Sequence, residues 1–496
     1  MACDSTLKSM KMFFSVLLFI FLSLTQASVI PDTASTQDTI REIHLKYTHG
    51  IKYKDRNQGN PINPFIVATE ITALNVLVWG WDRYVLDKDY ARISPSIWKR
   101  NLDEGFEWDH NHWAINFYGH PYQGSTYFTA ARSAGNDFST SLLWTAFGSL
   151  TWEFFAETEY PAPNDLITTT IGGSAYGEVL HRISKLFYND ENARWYRQMA
   201  AFGSAPVGYL QRKAFGEREK RMHFVPVELS LMIGAGSRFG SDYRFGGKSA
   251  DELDEKWNDH HSVLGLFLEY GRPWTLIRQP FDYFTLNVFS EQGLEGKLIQ
   301  VDVTGKLANA TIHGFGHWMD FAMYLDYDTF YGDLATIGTV SLGAGFDVGV
   351  WTTSKLRFRL TNQAYWIILG TSDMGYDDLI QEVHPEYKSD MDNYQYNTGF
   401  KYRLLMELFY NKKWTFSNDL TLDALRTLPN SLPHYGAEGW DFLLFNHTKL
   451  EYALFPWLSI GERLDTYMKF AAYSTELFEP MSRRIFTFTL YANFNF

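Results

Sequence analysis

The C-terminal half of this sequence alternates between apolar and polar residues, and this alternation constrains the fold more than any other feature. In the last eleven residues, apolar and polar side chains fall on opposite faces of a predicted strand. The apolar face holds Phe486, Phe488, Leu490, Ala492, Phe494 and Phe496, and the polar face holds Thr487, Thr489, Asn493 and Asn495. A period of two residues indicates a β-strand whose two faces meet different surroundings.

The same period recurs in about twelve segments from residue 222 onward, separated alternately by long connections and tight turns. The long connections are predicted at 236–261, 370–392 and 428–439. A soluble sandwich is the alternative, but small Gly and Ser side chains at the polar positions favour a crowded lumen. We therefore predict an antiparallel transmembrane β-barrel over residues 221–496, located in the bacterial outer membrane with lipid against its outer face.

The first 27 residues read as a secretory signal peptide. Lys8 and Lys11 precede an apolar run over 12–24, and a small-residue cleavage site ends at Ala27. The only cysteine, Cys3, would leave with this segment, so we expect no disulfide in the mature chain. Residues 28–60 are polar and are predicted to form a linker.

Residues 61–220 are predicted to form a helical domain of unknown function, with helices over 64–86, 139–156, 165–187 and 191–215. None of them contains twenty uninterrupted apolar residues, so a simple transmembrane helix is not expected. The predicted fold class is α+β, with an N-terminal helical domain followed by a barrel of about twelve strands.

Charge and motifs narrow the list of partners. The formal net charge of −13 argues against nucleic acid. No Gly-rich phosphate loop, HExxH or GxSxG motif is present, so no cofactor and no metal are expected. The expected partners are outer-membrane lipid, the barrel-assembly machinery, and a small-molecule, lipid or glycan ligand.

The polar residues with the clearest chemical potential lie between 109 and 182. Glu153 lies in an apolar helix, where a carboxylate is costly unless it is paired or protonated; an ion pair with Arg132 or Arg182 is the structural alternative. His120, between Gly119 and Pro121, is a candidate general base or metal ligand, or a packing residue.

Asp165 opens a predicted helix, where it either caps the helix or functions in a site. We take Glu153, His120 and Asp165 as candidate catalytic residues, and Asn116, Arg132 and Glu178 as candidate binding residues. Glu178 and His181 share a helix face, so exposed ion-pair partners are their default interpretation. The glycines at 172, 173 and 177 indicate close helix packing.

At these residues the chain resembles an uncharacterised domain found in outer-membrane proteins of Bacteroidota and other Gram-negative bacteria. The matching segments are 116–125, Ala131-Arg132, Trp152-Glu153, Asp165-Leu166 and Gly172-Gly173. The resemblance covers about residues 60–190. It implies an envelope protein in which the domain precedes a C-terminal barrel, and it brings no established activity.

Two functions remain open from the sequence. In the first, the helices plug the barrel or dock beneath it and bind an envelope component. In the second, Glu153, His120 and Asp165 form the pocket of an envelope enzyme that processes a lipid or a glycan. Convergence of these three residues within about 5 Å in an open cleft favours the enzyme, and burial of Glu153 against an arginine favours the structural role.

Overall fold

A computed structural model describes residues 61–188, 194–216, 227–244, 255–294, 296–314, 317–351, 355–387, 393–475 and 478–496. The predicted signal peptide and linker lie outside the described residues. The N-terminal helices are α1 Pro64–Tyr84, α2 Pro95–Glu104, α3 His120–Ser133, α4 Phe138–Phe155, α5 Pro163–Ile167, α6 Gly173–Tyr188, α7 Trp195–Ser204 and α8 Pro206–Phe215. A short 3₁₀ turn (Asp89–Ala91) and two π-helical turns (Ile115–Gly119 and Thr168–Gly172) connect them.

The strands close into one antiparallel barrel, which confirms the predicted fold class and strand number. The twelve described strands are β1 Val227–Arg244, β2 Glu255–Tyr270, β3 Phe284–Gly293, β4 Lys297–Gly314, β5 His317–Gly332, β6 Thr336–Trp351, β7 Leu356–Asp373, β8 Tyr394–Tyr410, β9 Trp414–Thr427, β10 Gly439–Phe455, β11 Leu458–Tyr473 and β12 Met481–Asn495. Each strand pairs with its sequence neighbours, and β1 pairs with β12 to close the ring. Closure leaves no unpaired sheet edge.

The barrel has two distinct ends. We call the end where β1 begins and β12 finishes the terminal end, and the opposite end, which carries the β7–β8 and β9–β10 connections, the loop end. The connection predicted at 236–261 is too long, because β1 extends to Arg244 and β2 begins at Glu255. The connection after β7 contains a further helix, α9, over Asp377–Val383.

The last strand shows the predicted division between faces. Thr487 and Thr489 point inward and are 2% and 0% exposed. Phe486, Phe488 and Leu490 point outward and are 43%, 39% and 59% exposed. The apolar face of this strand is therefore the outside of the barrel, as the alternation predicts for a wall that contacts lipid.

The lumen is filled by its own side chains near mid-height. Phe330 of β5 contacts Phe445 of β10 and Tyr467 of β11 across the barrel, with ring centroids 5.2 and 5.6 Å apart. The guanidinium of Arg463 on β11 lies 3.8 Å from the centroid of the Phe289 ring on β3. Contacts between strands on opposite sides of a narrow barrel form a packed layer across the lumen.

The two ends of the lumen differ on either side of this layer. Toward the terminal end, a cavity of about 510 Å³ opens, lined by groups that include Glu228, Glu269 and Arg359. At the loop end, α9 and its flanking residues pack against the neighbouring connections, for example Tyr376 against Phe478 with ring centroids 4.9 Å apart. The lumen is therefore a vestibule that is blocked by the barrel's own residues.

The helical domain packs against the outside of the barrel wall. Along each strand, the residues that the helical domain covers alternate with the residues that line the lumen. The covered residues form one buried core together with residues of the helices. They form an outer-wall patch of Leu286, Val288, Val301, Val303, Leu325, Tyr327, Val340, Leu369, Tyr394 and Tyr396. The expectation that the helices plug the lumen or dock beneath the barrel is therefore wrong.

Polar contacts fix the domain to the wall along its height. Near the loop end, Trp113 Nε1 donates to Thr371 Oγ1 at 3.0 Å, and the Tyr327 hydroxyl donates to the carbonyl of Phe117. At the terminal end, Arg182 Nη1 lies 2.9 Å from Asp282 Oδ1 in the β2–β3 connection. These polar contacts add to the apolar packing of the helices against the outer-wall patch.

One helix prediction needs correction, and α1 has a further property. The helix predicted over 191–215 is two helices, because Pro206 begins a new helix and cannot continue the previous one. By length and composition, α1 is long and apolar enough to cross a membrane. Glu70 and Asp82 interrupt its apolar residues, so the expectation that α1 is not a simple transmembrane helix stays a prediction.

Candidate functional site

The candidate site lies where two helices approach closely. His120 begins α3 directly after the π-helical turn at 115–119, and Thr169 lies in the second π-helical turn, before α6. A Cβ on Gly124 would overlap the carbonyl oxygen of Thr169, and one on Gly173 would lie 2.7 Å from the Cα of Gly124. The glycines therefore permit the contact that brings the two π turns together, and π turns of this kind occur often at functional sites.

The three predicted catalytic residues converge inside the helical domain. His120, Glu153 and Asp165 are buried, and one potential ligand atom of each lies within 4.8 Å of those of the others. His120 Nε2 is 3.4 Å from Asp165 Oδ1. We call this set the inner cluster. Their convergence meets the distance criterion set above, but the residues are buried and do not line an open cleft.

Hydrogen bonds from the surroundings orient each member of the inner cluster. Glu153 Oε2 accepts from the backbone N–H of Ala162 at 3.0 Å, and Asp165 Oδ1 accepts from Asn164 Nδ2 at 2.8 Å. His120 Nδ1 lies 3.3 Å from Thr169 Oγ1. Glu153 Oε1 has no hydrogen-bond partner among the described residues, although it is fully buried.

Two further acids adjoin the inner cluster and are partly exposed. Asp109 interacts with Asp165, and its carboxylate accepts from the backbone N–H of Asn111 at 2.9 Å. Glu157 interacts with Glu153, and its Oε2 accepts from Trp152 Nε1 at 3.2 Å. We call Asp109 and Glu157 the outer acids. Four carboxyl groups and one imidazole thus share a small volume.

This concentration of acids shifts their protonation. Burial, and then the charge of Asp165, raise the pKa of Glu153 well above its usual range. Burial also raises the pKa of Asp165 and Glu157, with neighbouring carboxylates adding to the effect. Burial lowers the pKa of His120 to about 4. Without a cation, these shifts favour the protonated form of the carboxyl groups, and the imidazole of His120 is neutral at pH 7.

The predicted arginine partners of Glu153 lie elsewhere. Arg132 Nε and Arg182 Nε contact the two oxygens of Glu178 at 2.7 and 2.8 Å. The proposed ion pair of Glu153 with Arg132 or Arg182 is therefore wrong. Glu178 is also 0% exposed, which corrects its default interpretation as a surface residue.

The remaining predicted binding residue, Asn116, joins the domain to the barrel. Its Nδ2 donates to the hydroxyls of Tyr394 and Tyr396 at 2.6 and 2.9 Å. Asn116, Arg132 and Glu178 all have structural partners in these positions. Their roles as binding residues stay predictions.

Sequence reasoning did not select the outer acids. Glu157 follows Glu153 by four residues, a spacing that places two side chains on one helix face, but α4 ends at Phe155 and the chain turns before Glu157. Asp109 lies in the segment between α2 and the first π turn, without a helical or strand pattern. The four-residue spacing was the one signal available for either acid.

The comparison with protein families matches the helical part of the chain. Residues 105–207 match a family described as "Domain of unknown function (DUF3943)". The match contains the whole inner cluster and agrees with the uncharacterised domain expected from the sequence. Among proteins with curated descriptions, none matches this sequence.

Solved structures are similar in the barrel. An outer membrane channel from Pseudomonas putida F1 shares 12% identity, with 54% of this chain and 97% of that chain covered and a TM-score of 0.28. The KdgM porin shares 10% identity over 53% and 99% of the two chains, with a TM-score of 0.21. A Pseudomonas aeruginosa FadL homologue shares 9% over 55% and 91%, with a TM-score of 0.21. These scores are too low to carry an argument about function.

Proposed function

We propose that this chain is an integral protein of the bacterial outer membrane, with the barrel crossing the bilayer. The support is the outer surface of the wall, where large apolar side chains stay exposed away from the helical domain. Phe400, Trp366, Leu490 and Leu464 are 71%, 54%, 59% and 51% exposed on four different strands. In a closed barrel, such a surface is stable against lipid and costly in water.

The helical domain contacts the same lipid in this proposal. Large apolar side chains are exposed on its exterior, with Phe65, Leu77, Leu143 and Trp195 between 67% and 78% exposed. Its interior contains charged groups, the inner cluster and the Glu178 ion pairs among them. Exposed charged residues, such as Asp89 and Glu104, lie in the segment 87–104. A domain that exposes large apolar side chains on α1, α4 and α7, buries an acidic cluster, and packs on the lipid-facing side of a barrel suits a membrane environment along those helices. This is the observation that carries the proposal.

The function that this arrangement supports best is binding of an envelope lipid by the helical domain, with the barrel as its anchor. The blocked lumen disfavours a diffusion pore, because the apolar layer around Phe330 crosses it. The domain, in contrast, offers an apolar surface beside a polar interior, which matches an amphiphilic molecule. The outer acids Asp109 and Glu157 are the part of the polar interior nearest to an incoming headgroup.

An enzyme that processes an envelope lipid is the second candidate. One observation favours it, which is the convergence of His120, Glu153 and Asp165 on three different helices. A neutral imidazole beside carboxyl groups of raised pKa offers a base and acids at one place. Because the three residues are buried, this function requires the outer acids to separate and admit the substrate.

Cysteine labelling tests the lipid contact of the domain. Cys3 is the only cysteine of the sequence, so single cysteines are introduced at Leu77 on α1, at Phe400 on the outer wall, and at Glu386 in the β7–β8 connection. In isolated outer membranes, a water-soluble maleimide should label only Glu386→Cys; after unfolding in detergent, all three should react. Labelling of Leu77→Cys at the rate of Glu386→Cys would place α1 in water and refute the proposal.

A further inference from the structure

We propose that His120, Glu153 and Asp165 bind a divalent transition-metal ion, such as Zn²⁺ or Mn²⁺. This inference goes beyond lipid binding and does not depend on it. One imidazole nitrogen and two carboxylate oxygens form a donor set that suits these ions, whereas Ca²⁺ and Mg²⁺ prefer oxygen alone. Three protein ligands also leave a coordination position open for water or a headgroup oxygen.

The spacing of the donor atoms suits a common ion. Ligand atoms about 2.1 Å from a tetrahedral metal lie about 3.4 Å from one another. His120 Nε2 and Asp165 Oδ1 are 3.4 Å apart, and the three donors lie within 4.8 Å. The Glu153 carboxylate would have to move closer to the other two donors to complete the set.

An unpartnered oxygen is the independent sign of a missing cation. Glu153 is 0% exposed, and its Oε2 is held by the Ala162 N–H, while Oε1 has no donor among the described residues and the neighbouring side chain is a second carboxyl group, Glu157. Two carboxyl groups in contact need a proton or a cation between them. No ion pair joins Glu153, Asp165 or Glu157 to a lysine or an arginine in the part of the chain that the structure describes, and the one ion-pair contact of Asp165 there is with His120. Buried polar atoms are nearly always satisfied in proteins, and a cation bound between these carboxyl groups would satisfy Oε1.

The surrounding hydrogen bonds are those that metal sites use to orient their ligands. A ligating histidine is usually held through its other nitrogen, and His120 Nδ1 lies beside Thr169 Oγ1, with Nε2 directed to Asp165. Asn164 Nδ2 holds Asp165 from behind. The outer acids then accept hydrogen bonds from water bound at the open position.

Metal analysis of the full mature chain in detergent tests the inference. Protein is stripped with a chelator, reloaded separately with Zn²⁺, Mn²⁺ or Ca²⁺, desalted and analysed by mass spectrometry for bound metal. We expect about one equivalent of Zn²⁺ or Mn²⁺ and no retained Ca²⁺. Glu153→Gln and Asp165→Asn preserve side-chain shape and should each weaken affinity at least 100-fold, and Glu104→Gln, an exposed acid of the same domain, should leave it unchanged.

Cobalt provides a second readout, independent of any activity. Co²⁺ in the wild-type site should give visible absorption that is lost in His120→Gln. Wild-type protein that retains no metal, or variants that bind as well as wild type, would overturn the inference. Heat-dependent gel mobility confirms that each variant has a folded barrel, so loss of metal is attributed to the site.

Discussion

Carboxylates are buried in the barrel lumen and in the helical domain, but their partners differ. In the lumen, Lys306 Nζ lies 2.5 Å from Asp320 and 2.8 Å from Asp347. The helical domain contains a similar structural ion-pair group, in which Arg132 and Arg182 both contact Glu178. The inner cluster has no such cation among the described residues.

The difference separates structural carboxylates from functional ones. A buried charge with a close counter-ion stabilises its surroundings only while both partners remain, and removing either one is strongly destabilising. A buried carboxyl group without a counter-ion lowers the free energy of unfolding. Proteins commonly accept this loss of stability where activity requires such a group. Substitution should therefore have opposite effects on stability in the two regions.

The largest effect is expected in the lumen. Lys306→Met should lower the free energy of unfolding by about 3–5 kcal/mol, because Asp320 and Asp347 would lose their shared cation in a dry site. Denaturant unfolding of the barrel in detergent measures the change. Lys99→Met, at an exposed lysine, should stay within about 0.5 kcal/mol of wild type. Equal effects of the two substitutions would mean that the lumen pair contributes nothing specific.

Glu178→Gln should have the next largest effect, about 3 kcal/mol, because it leaves Arg132 and Arg182 without a negative partner. Burial alone would raise the pKa of Glu178, but the two arginines lower it below the usual range. The stabilisation is therefore present at neutral pH and is lost as the pH falls below about 4. Wild type and Glu178→Gln should thus converge in acid, and a constant difference from pH 7 to 3 would contradict this assignment.

The opposite sign is expected in the inner cluster. Metal-free Glu153→Gln should be more stable than metal-free wild type at pH 8, by about 0.5–2 kcal/mol. Because the pKa of Glu153 is raised in the folded chain, wild type should lose stability as the pH rises above about 4, and the variant should lose less. Thermal unfolding across this pH range gives the comparison. Destabilisation by Glu153→Gln would instead indicate a structural partner for Glu153.

The barrel was predictable because every strand carries its own evidence. Thr487 is polar because it faces the lumen, and Phe488 is apolar because it faces outward. The sequence therefore shows the two faces of a strand in neighbouring residues. Twelve repeats of a local pattern then fix the architecture. His120 and Asp165 were also accessible as candidates, since His120 lies between Gly119 and Pro121 and Asp165 follows Pro161 and Pro163 at the start of a predicted helix.

The position of the domain and the partners of its charges were not predictable in the same way. Val301 and Val303 have the outward-facing pattern of a lipid-facing wall, and that pattern is identical whether lipid or a helix covers them. The pairing of Arg132 with Glu178, and not with Glu153, depends on how α3, α4 and α6 are rotated against one another. Such rotations follow from packing of the whole domain, which no single segment encodes.

The smallest perturbation tests the direction of the chain through the membrane. Glu386 and Asn430 are exposed in two loop-end connections, and Lys413 is exposed in the β8–β9 turn at the terminal end. Cysteine at any of these surface positions should change stability by less than about 0.5 kcal/mol. On intact cells, a membrane-impermeant maleimide should label Glu386→Cys and Asn430→Cys but not Lys413→Cys, because long connections of outer-membrane barrels face outward and short turns face the periplasm. If only Lys413→Cys is labelled, the barrel has the opposite orientation. The contact of Arg182 with the β2–β3 connection would then lie on the outer side of the membrane.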